Sequence, residues 1–260
     1  MDKVLAPDSA LPQQQGCDKP VSSAASATFA TVAQPVRLAM FDLDLTLLEG
    51  DTDQLWCMYL IERGLLGKEM EPHNARWQQQ YKSGRVNATQ FCRFYAGLLK
   101  GHEEAACQHI RDEFFEEVLW PRIPPMAKYL VELHRDGGDS LLLTTASSHF
   151  LVMPVARKLG FDAWIATTWQ LDENRVFTGE LEGRPNMGID KVRYLRQWLK
   201  QRNVCSLAEM SAILAGSTFY SDSIKDLPLL KSVGCPVVMN PDARLLKESL
   251  IRGWPVRRLW

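Results

Sequence analysis

The sequence predicts an α/β fold: a Rossmann-like core with a parallel sheet, interrupted directly after its first strand by an inserted all-helical segment. Three observations carry this. From about residue 125 onward, short and nearly continuous apolar runs alternate with amphipathic stretches, the pattern of strands buried on both faces and joined by helical crossovers. Between Asp51 and Pro124 the alternation stops, and apolar residues recur at three and four positions, broken by Gly and Pro, which reads as helix without a convincing strand. The 260 residues are 46% hydrophobic with a formal net charge of −1, a composition able to bury a sizeable core.

In chain order, "VRLAMFDLD" is the first buried strand. "DQLWCMYLIERGLL", "ATQFCRFYAGLLKG" and "EEAACQHIRDEFFEEVLW" supply the inserted helices. "PPMAKYLVELHRDGG" is a helix stopped by Gly, "DSLLLTTAS" a second buried strand and "FLVMPVARKLG" the helix after it. There follow a strand in "AWIATT", a hairpin around "VFTGELEG", a helix in "GIDKVRYLRQWLKQ", a strand in "SAILAGSTF", a helix in "LPLLKSVG" and a strand in "CPVVMN". The chain thus divides into a core over 36–50 and 125–260 and a helical cap over 51–124. Residues 1–35, with "DSALPQQQGC" and "VSSAASATFATVAQP", are rich in Ser, Ala, Gln and Pro. They cannot bury enough to fold and lack the basic start and apolar centre of a signal peptide, so a disordered tail or a mis-assigned start is expected.

Several classes are excluded by composition. No apolar run approaches the roughly 18–20 residues of a spanning helix. A near-neutral charge gives no basic footprint for nucleic acid, and the one compact basic cluster, "RGWPVRRLW", reads as a solvated chain end. Cys17, Cys57, Cys92, Cys107, Cys205 and Cys235 are scattered, with no CxxC pair and no Cys/His zinc spacing. They read as reduced thiols of a cytoplasmic protein, whether monomer or homodimer.

The informative stretch is "RLAMFDLDLTLLEGDTD", where acidic residues follow directly on an apolar strand. Asp42 and Asp44 stand at i and i+2, so on an extended chain they point the same way. Their mutual repulsion calls for a compensating cation or a chemical role. Thr145, with Thr144 as a competing neighbour, ends the second strand; Lys191 follows the hairpin; Asp222 and Asp226 follow "AILAGSTF". All converge on the carboxyl edge of the sheet, where ligands bind in open α/β folds. A calcium loop fails, because Thr46 and Leu47 stand where an EF-hand needs an acidic residue or Asn and then Gly.

A bare DxDxT is weak evidence, but here four motifs occur in order at strand ends. Asp-Leu-Asp-Leu-Thr (42–46), Thr145, Lys191 and the Asp222…Asp226 pair resemble those of the haloacid dehalogenase-like superfamily of phosphohydrolases across about residues 36–240. The inserted helices resemble the C1-type cap of its phosphoserine-phosphatase branch. The resemblance implies a Mg²⁺-dependent phosphomonoesterase working through an aspartyl-phosphate. Asp42 would attack phosphorus as a covalent nucleophile, and Asp44 would protonate the leaving oxygen and then take a proton from the hydrolytic water. It also implies the Asp42 side chain, the Asp44 backbone carbonyl and Asp222 as metal ligands, with Asp226 supporting or coordinating. Thr145 would hydrogen-bond a phosphoryl oxygen and Lys191 would neutralise its charge.

For the substrate, Asp51 stands nine residues after the nucleophile, where phosphoserine phosphatases carry the acid that holds the substrate amine. Asp51 or Thr52 reads equally well as an N-cap. Tyr95 falls where those enzymes place an Arg that clamps the serine carboxylate, and a phenol cannot replace a bidentate guanidinium. Arg93 points about 200° away on a helix. The expected substrate is therefore a small phosphorylated metabolite with an amine and no carboxylate, histidinol phosphate first and O-phosphoserine as the alternative. The "MNPDARL" turn also resembles histidinol-phosphate phosphatases. Trp56, Trp77, Phe94 and Tyr95 read either as a slot for an imidazole or as helix-bundle core. A haloacid dehalogenase would not need Asp44; a phosphotransferase or a non-catalytic binding module on the same fold are the other readings. No motif is broken, although Leu45 stands where relatives often carry a small or polar residue.

Overall fold

In the computed structural model, which describes residues 37–83 and 85–260, the apolar run ahead of Asp42 forms β1 (Leu38–Phe41), buried along its whole length. The tail expected over 1–35, and Cys17 with it, lies outside the described residues. The chain then runs through α1 (Thr52–Glu62), α2 (Met70–Lys82), α3 (Ala88–Ala96) and α4 (Glu104–Phe114), the last continued by a π-helical turn over Phe115–Leu119. After it come α5 (Pro125–Asp136), β2 (Ser140–Ser148), α6 (His149–Lys158), β3 (Ala163–Leu171) and β4 (Phe177–Glu182). The remainder is α7 (Ile189–Gln201), α8 (Leu207–Ala215), β5 (Thr218–Ser221), α9 (Leu227–Leu230), β6 (Cys235–Met239), α10 (Ala243–Arg252) and β7 (Val256–Arg257).

The seven strands form one sheet in the order β4-β3-β2-β1-β5-β6-β7. All neighbours are parallel except β3 and β4, the hairpin expected around "VFTGELEG", where Leu171 lies opposite Phe177. From β1 the chain builds outward through β2 and β3 on one side, and through β5, β6 and β7 on the other. The switch point between β1 and β5 opens a crevice at their carboxyl ends, and there stand Asp42 and Asp222.

Alternation along β1 explains why it reads as continuously apolar. Ala39 and Phe41 pack with Leu141 and Leu143, with Ala127 and Val131 of α5, with Leu151 and Val155 of α6, and with Trp56, Leu60 and Phe91 of the helical segment. Leu38 and Met40 face the other way, onto Val192, Leu195 and Leu199 of α7, Met210 and Leu214 of α8, and Leu245 of α10. Each such side chain fully removed from water contributes about 1.5–3 kcal/mol. The helical segment therefore shares one of the two cores of the sheet.

The structure corrects one strand. "SAILAGSTF" is split between the end of α8 and β5, because Ser206 and Glu209 form a reciprocal capping box that starts a helix ahead of the apolar run. Only Thr218–Ser221 pairs with β1 and β6. "LPLLKSVG" is helical only over the four residues of α9, and α10, N-capped by Asp242, follows the "NPD" turn. The five cysteines among the described residues are unpaired. Among the described residues no helix is long and apolar enough to cross a membrane.

Candidate active site

The β1–β5 ladder carries one residue past β1: the amide of Asp42 donates to the carbonyl of Tyr220 at 2.9 Å. This fixes the Asp42 carboxylate at the sheet edge. Lys191, three residues into α7 and 1% exposed, donates to Asp42 Oδ1 at 2.8 Å and to Asp226 Oδ2 at 2.5 Å. Ser221 Oγ donates to the same Asp226 oxygen at 2.8 Å. Burial pushes Asp42 up to about 6 against the pull of Lys191. Burial works to lower Lys191, but Asp226 and Asp42 outweigh it and hold the ammonium charged. Asp222 lies well above the ordinary carboxylate range, through burial and then through Asp42 and Asp226. Three carboxylates thus face one buried ammonium, which leaves negative charge uncompensated.

Asp44 is held on both oxygens. The Thr52 amide donates to Oδ1 at 3.0 Å, the Thr52 hydroxyl donates to the same atom, and Ser147 Oγ donates to Oδ2. Burial, and next the charge of Asp51, push Asp44 up to about 8 despite these bonds. A carboxyl titrating near neutrality is suited to give and take a proton. Leu45 turns the loop with φ of +57°, a left-handed conformation rare for a branched residue. It is held by its amide to the carbonyls of Leu48 and Gly50, and by Asn240 Nδ2 donating to its own carbonyl.

Thr145 lines the cleft. Its neighbour Thr144 does not, because Thr144 Oγ1 accepts from Asn186 Nδ2 at 3.0 Å. Fully buried Asn186 also donates to the carbonyls of Thr145 and Ile165, which ties the middle of β2 to the first part of β3. Nothing in the spacing of "RPNMG" distinguishes this Asn from an ordinary loop residue.

On the helical side, Asp51 does two things at once: it caps α1 by accepting from the Gln54 amide at 2.9 Å, and it lines the cleft. Tyr95 is a correction. It is 0% exposed, donates its hydroxyl to Asn74 Oδ1 at 2.8 Å and accepts from Gln78 Nε2 at 3.1 Å. Gln78 lines the cleft, and Tyr95 stands behind it. Of the two readings of the aromatic residues, helix-bundle core is the one the packing supports. Trp56 is core, Trp77 stacks on Phe94, and neither they nor Tyr95 line the cleft. The aromatic wall is instead Tyr81 and Phe91, stacked at 4.0 Å. Lys82, Lys225 and Arg244 also line the cleft, none of them singled out by the sequence. The cleft has a volume of about 380 Å³, the size of a small metabolite site.

A doubly wound sheet with paired carboxylates at its switch point and a helical segment facing them is the architecture of a small-ligand site. Residues 39–231 match the haloacid dehalogenase-like hydrolase family, and the chain belongs to it. Over 220 residues it is 36% identical to a histidinol-phosphatase of Neisseria meningitidis serogroup C (strain 8013), covering 84% of this chain and 97% of that one. The crystal structure of a protein with unknown function from Bordetella pertussis Tohama I is 34% identical, with a TM-score of 0.79 over 86% of this chain and 99% of that one. A phosphoserine phosphatase solved with a phospho-aspartyl intermediate analogue shares the fold at 17% identity, with a TM-score of 0.61 over 86% and 93% of the two chains. The chain is accordingly a phosphatase of this family.

Proposed function

We propose that this chain hydrolyses a small phosphate monoester through an aspartyl-phosphate on Asp42, in the cytoplasm, with residues 51–124 as the cap and histidinol phosphate as the substrate. One observation carries the reaction: Asp42 is held at 2.8 Å by buried Lys191, two residues from an Asp44 held on both oxygens by Thr52 and Ser147 and pushed up to about 8 by burial. Ionised Asp42 attacks phosphorus in line, and the bond from phosphorus to the ester oxygen breaks as Asp44 gives that oxygen its proton. Water then attacks the aspartyl-phosphate, the Asp44 carboxylate takes its proton, and phosphate leaves with Asp42 restored. Lys191 and Thr145 hold the phosphoryl oxygens throughout, as a fixed charge and a fixed hydrogen-bonding group.

The donor set fits a hard divalent cation, being all oxygen with carboxylate charge in excess. Among the described residues no three His, Cys, Asp or Glu side chains form a metal cluster by themselves. Mg²⁺ would be held by the side chains of Asp42 and Asp222 and the carbonyl of Asp44. Asp226, whose Oδ2 is engaged by Lys191 and Ser221, supports them from behind. When bound, the ion offsets negative charge on the phosphoryl group and on the carboxylates.

Histidinol phosphate is supported by the Neisseria relative and by Asp51, an acid in the cleft able to hold an amine. O-Phosphoserine is the second reading, favoured by Lys225 and Arg244 in the same cleft, which offer a carboxylate the cation that position 95 does not. The test is purified protein with Mg²⁺ assayed on histidinol phosphate, O-phosphoserine and a nucleotide. The expected result is about a hundredfold higher kcat/KM for histidinol phosphate than for O-phosphoserine, equivalent to about 3 kcal/mol. The reverse order would establish the second reading.

A further inference from the structure

Tyr81, in the last turn of α2, faces the cleft from the helical side. One face of its ring lies against Phe91, with centroids 4.0 Å apart and planes 16° from parallel. That separation leaves no room for an ammonium between the rings. Lys225 Nζ, 3.0 Å from the Tyr81 centroid, therefore covers the opposite face, and Lys225 itself lines the cleft. The Tyr81 hydroxyl donates to Met187 Sδ, which fixes the ring's orientation. Lys225 stands between Asp222 and Asp226 in the chain, yet among the described residues it makes no ion pair with a carboxylate within 4.0 Å. Its ammonium rests on the ring instead.

We propose that the face of Tyr81 under Lys225 is the platform for the leaving group, that it selects alcohol phosphates carrying a flat, cationic or imidazole-like ring, and that Lys225 covers it until the ring displaces the ammonium. The proposal rests on the phosphomonoesterase reading and deepens it.

Phe91 holds the Tyr81 ring from behind, so the platform is rigid before substrate arrives. A ring laid on it gains aromatic stacking, and a cationic ring gains the attraction that now holds Lys225. Asp51, in the same cleft, is placed to take a neighbouring ammonium, while Asp42, Thr145 and Lys191 hold the phosphate. The cleft, of about 380 Å³, lies in the size range of small-metabolite sites. Lys225 has a flexible four-carbon stem and can swing away from the platform.

The experiment compares kcat/KM for histidinol phosphate and for ethanolamine phosphate, which keeps the ammonium and phosphate but has no ring. Wild type, Tyr81→Leu, Tyr81→Phe and Lys225→Met are assayed. Tyr81→Leu is expected to lose at least tenfold more on the ring ester than on ethanolamine phosphate, chiefly in KM, and Tyr81→Phe is expected to keep the wild-type ratio. Lys225→Met is expected to lower KM for the ring ester at least threefold, because no ammonium competes for the face. Equal losses on both esters in Tyr81→Leu, or an unchanged or raised KM in Lys225→Met, overturn the platform. Wild type that hydrolyses neither these two esters nor O-phosphoserine refutes the phosphomonoesterase reading itself. Wild type that prefers the ring ester while Tyr81→Leu loses both equally refutes the platform alone.

Discussion

Thr52 reaches from the first turn of α1 to grip Asp44, its backbone amide 3.0 Å from Asp44 Oδ1 and its hydroxyl on the same oxygen. Ser147, near the far end of β2, holds the other oxygen. The acid proposed to protonate the leaving group is thus oriented jointly by the helical segment and the sheet.

Removing either hydroxyl should loosen that carboxyl without touching the nucleophile. Thr52→Val keeps the amide bond and the shape; Ser147→Ala keeps the backbone. Each is expected to slow an alkyl phosphate about 10- to 100-fold, because an alkoxide leaves poorly unless a proton is delivered. p-Nitrophenyl phosphate, whose leaving group needs no proton, should slow less than threefold. Single-turnover rates on both esters decide it, and equal slowing would remove the positioning role.

Asp42→Asn should abolish turnover with the fold intact, since an amide cannot attack phosphorus. Wild-type activity should disappear in excess chelator and return on adding Mg²⁺. Asp222→Asn, which removes one proposed ligand but not the nucleophile, should retain activity at a Mg²⁺ requirement raised at least tenfold. A titration of rate against Mg²⁺ in the three proteins separates these cases; activity of Asp42→Asn within tenfold of wild type would sink the mechanism.

The convergence of the acidic residues and Lys191 was legible because they follow buried strands or open a helix at fixed places in the chain order, although β2 runs on to Ser148 and Thr145 lies within it rather than at its end. Asp42, Asp44, Thr145, Lys191, Asp222 and Asp226 are all brought to one sheet edge. The substrate side was not legible, for a physical reason seen in α2. Its sequence "MEPHNARWQQQYK" carries no apolar stripe, and it buries Asn74 and Gln78 rather than apolar residues. Those two polar side chains draw the Tyr95 hydroxyl inward, an outcome that helical offset alone does not encode. Tyr81, Lys225 and Arg244 meet from three separate segments with no shared spacing. "SAILA" fits a strand or a helix equally by its apolar content, and only the Ser206–Glu209 capping pair tells them apart.

Tyr95 gives a direct test of that geometry. Tyr95→Phe leaves buried Asn74 Oδ1 without its donor and should lower stability by about 1–3 kcal/mol, with smaller effects on catalysis. Tyr95→Arg forces a longer, charged guanidinium into a fully packed site bonded to Asn74 and Gln78, which should lower stability. Urea unfolding of both variants measures this. A well-folded Tyr95→Arg protein with improved kcat/KM on O-phosphoserine would show instead that position 95 reaches the substrate.

Asp53 provides the pH dependence. It is buried in the first turn of α1, and its Oδ1 has no hydrogen-bond partner among the described residues. Burial first, then the charges of Asp51 and Asp44, hold its carboxyl well above the ordinary carboxylate range. In the unfolded chain it titrates near 3.9, so above that pH the folded state holds the proton more tightly. The stability this contributes is therefore full below about pH 4 and is lost as pH rises through the folded value. Asp53→Asn cannot ionise and should lack that slope. In chelator-containing buffer, urea unfolding should show the variant near wild type at pH 4 and more stable than wild type at pH 8, with the gap widening as the pH rises between them. A difference that stays constant between those pH values would mean that Asp53 titrates as an ordinary exposed carboxylate, and that the acidic cluster at the start of α1 is relieved by some other group.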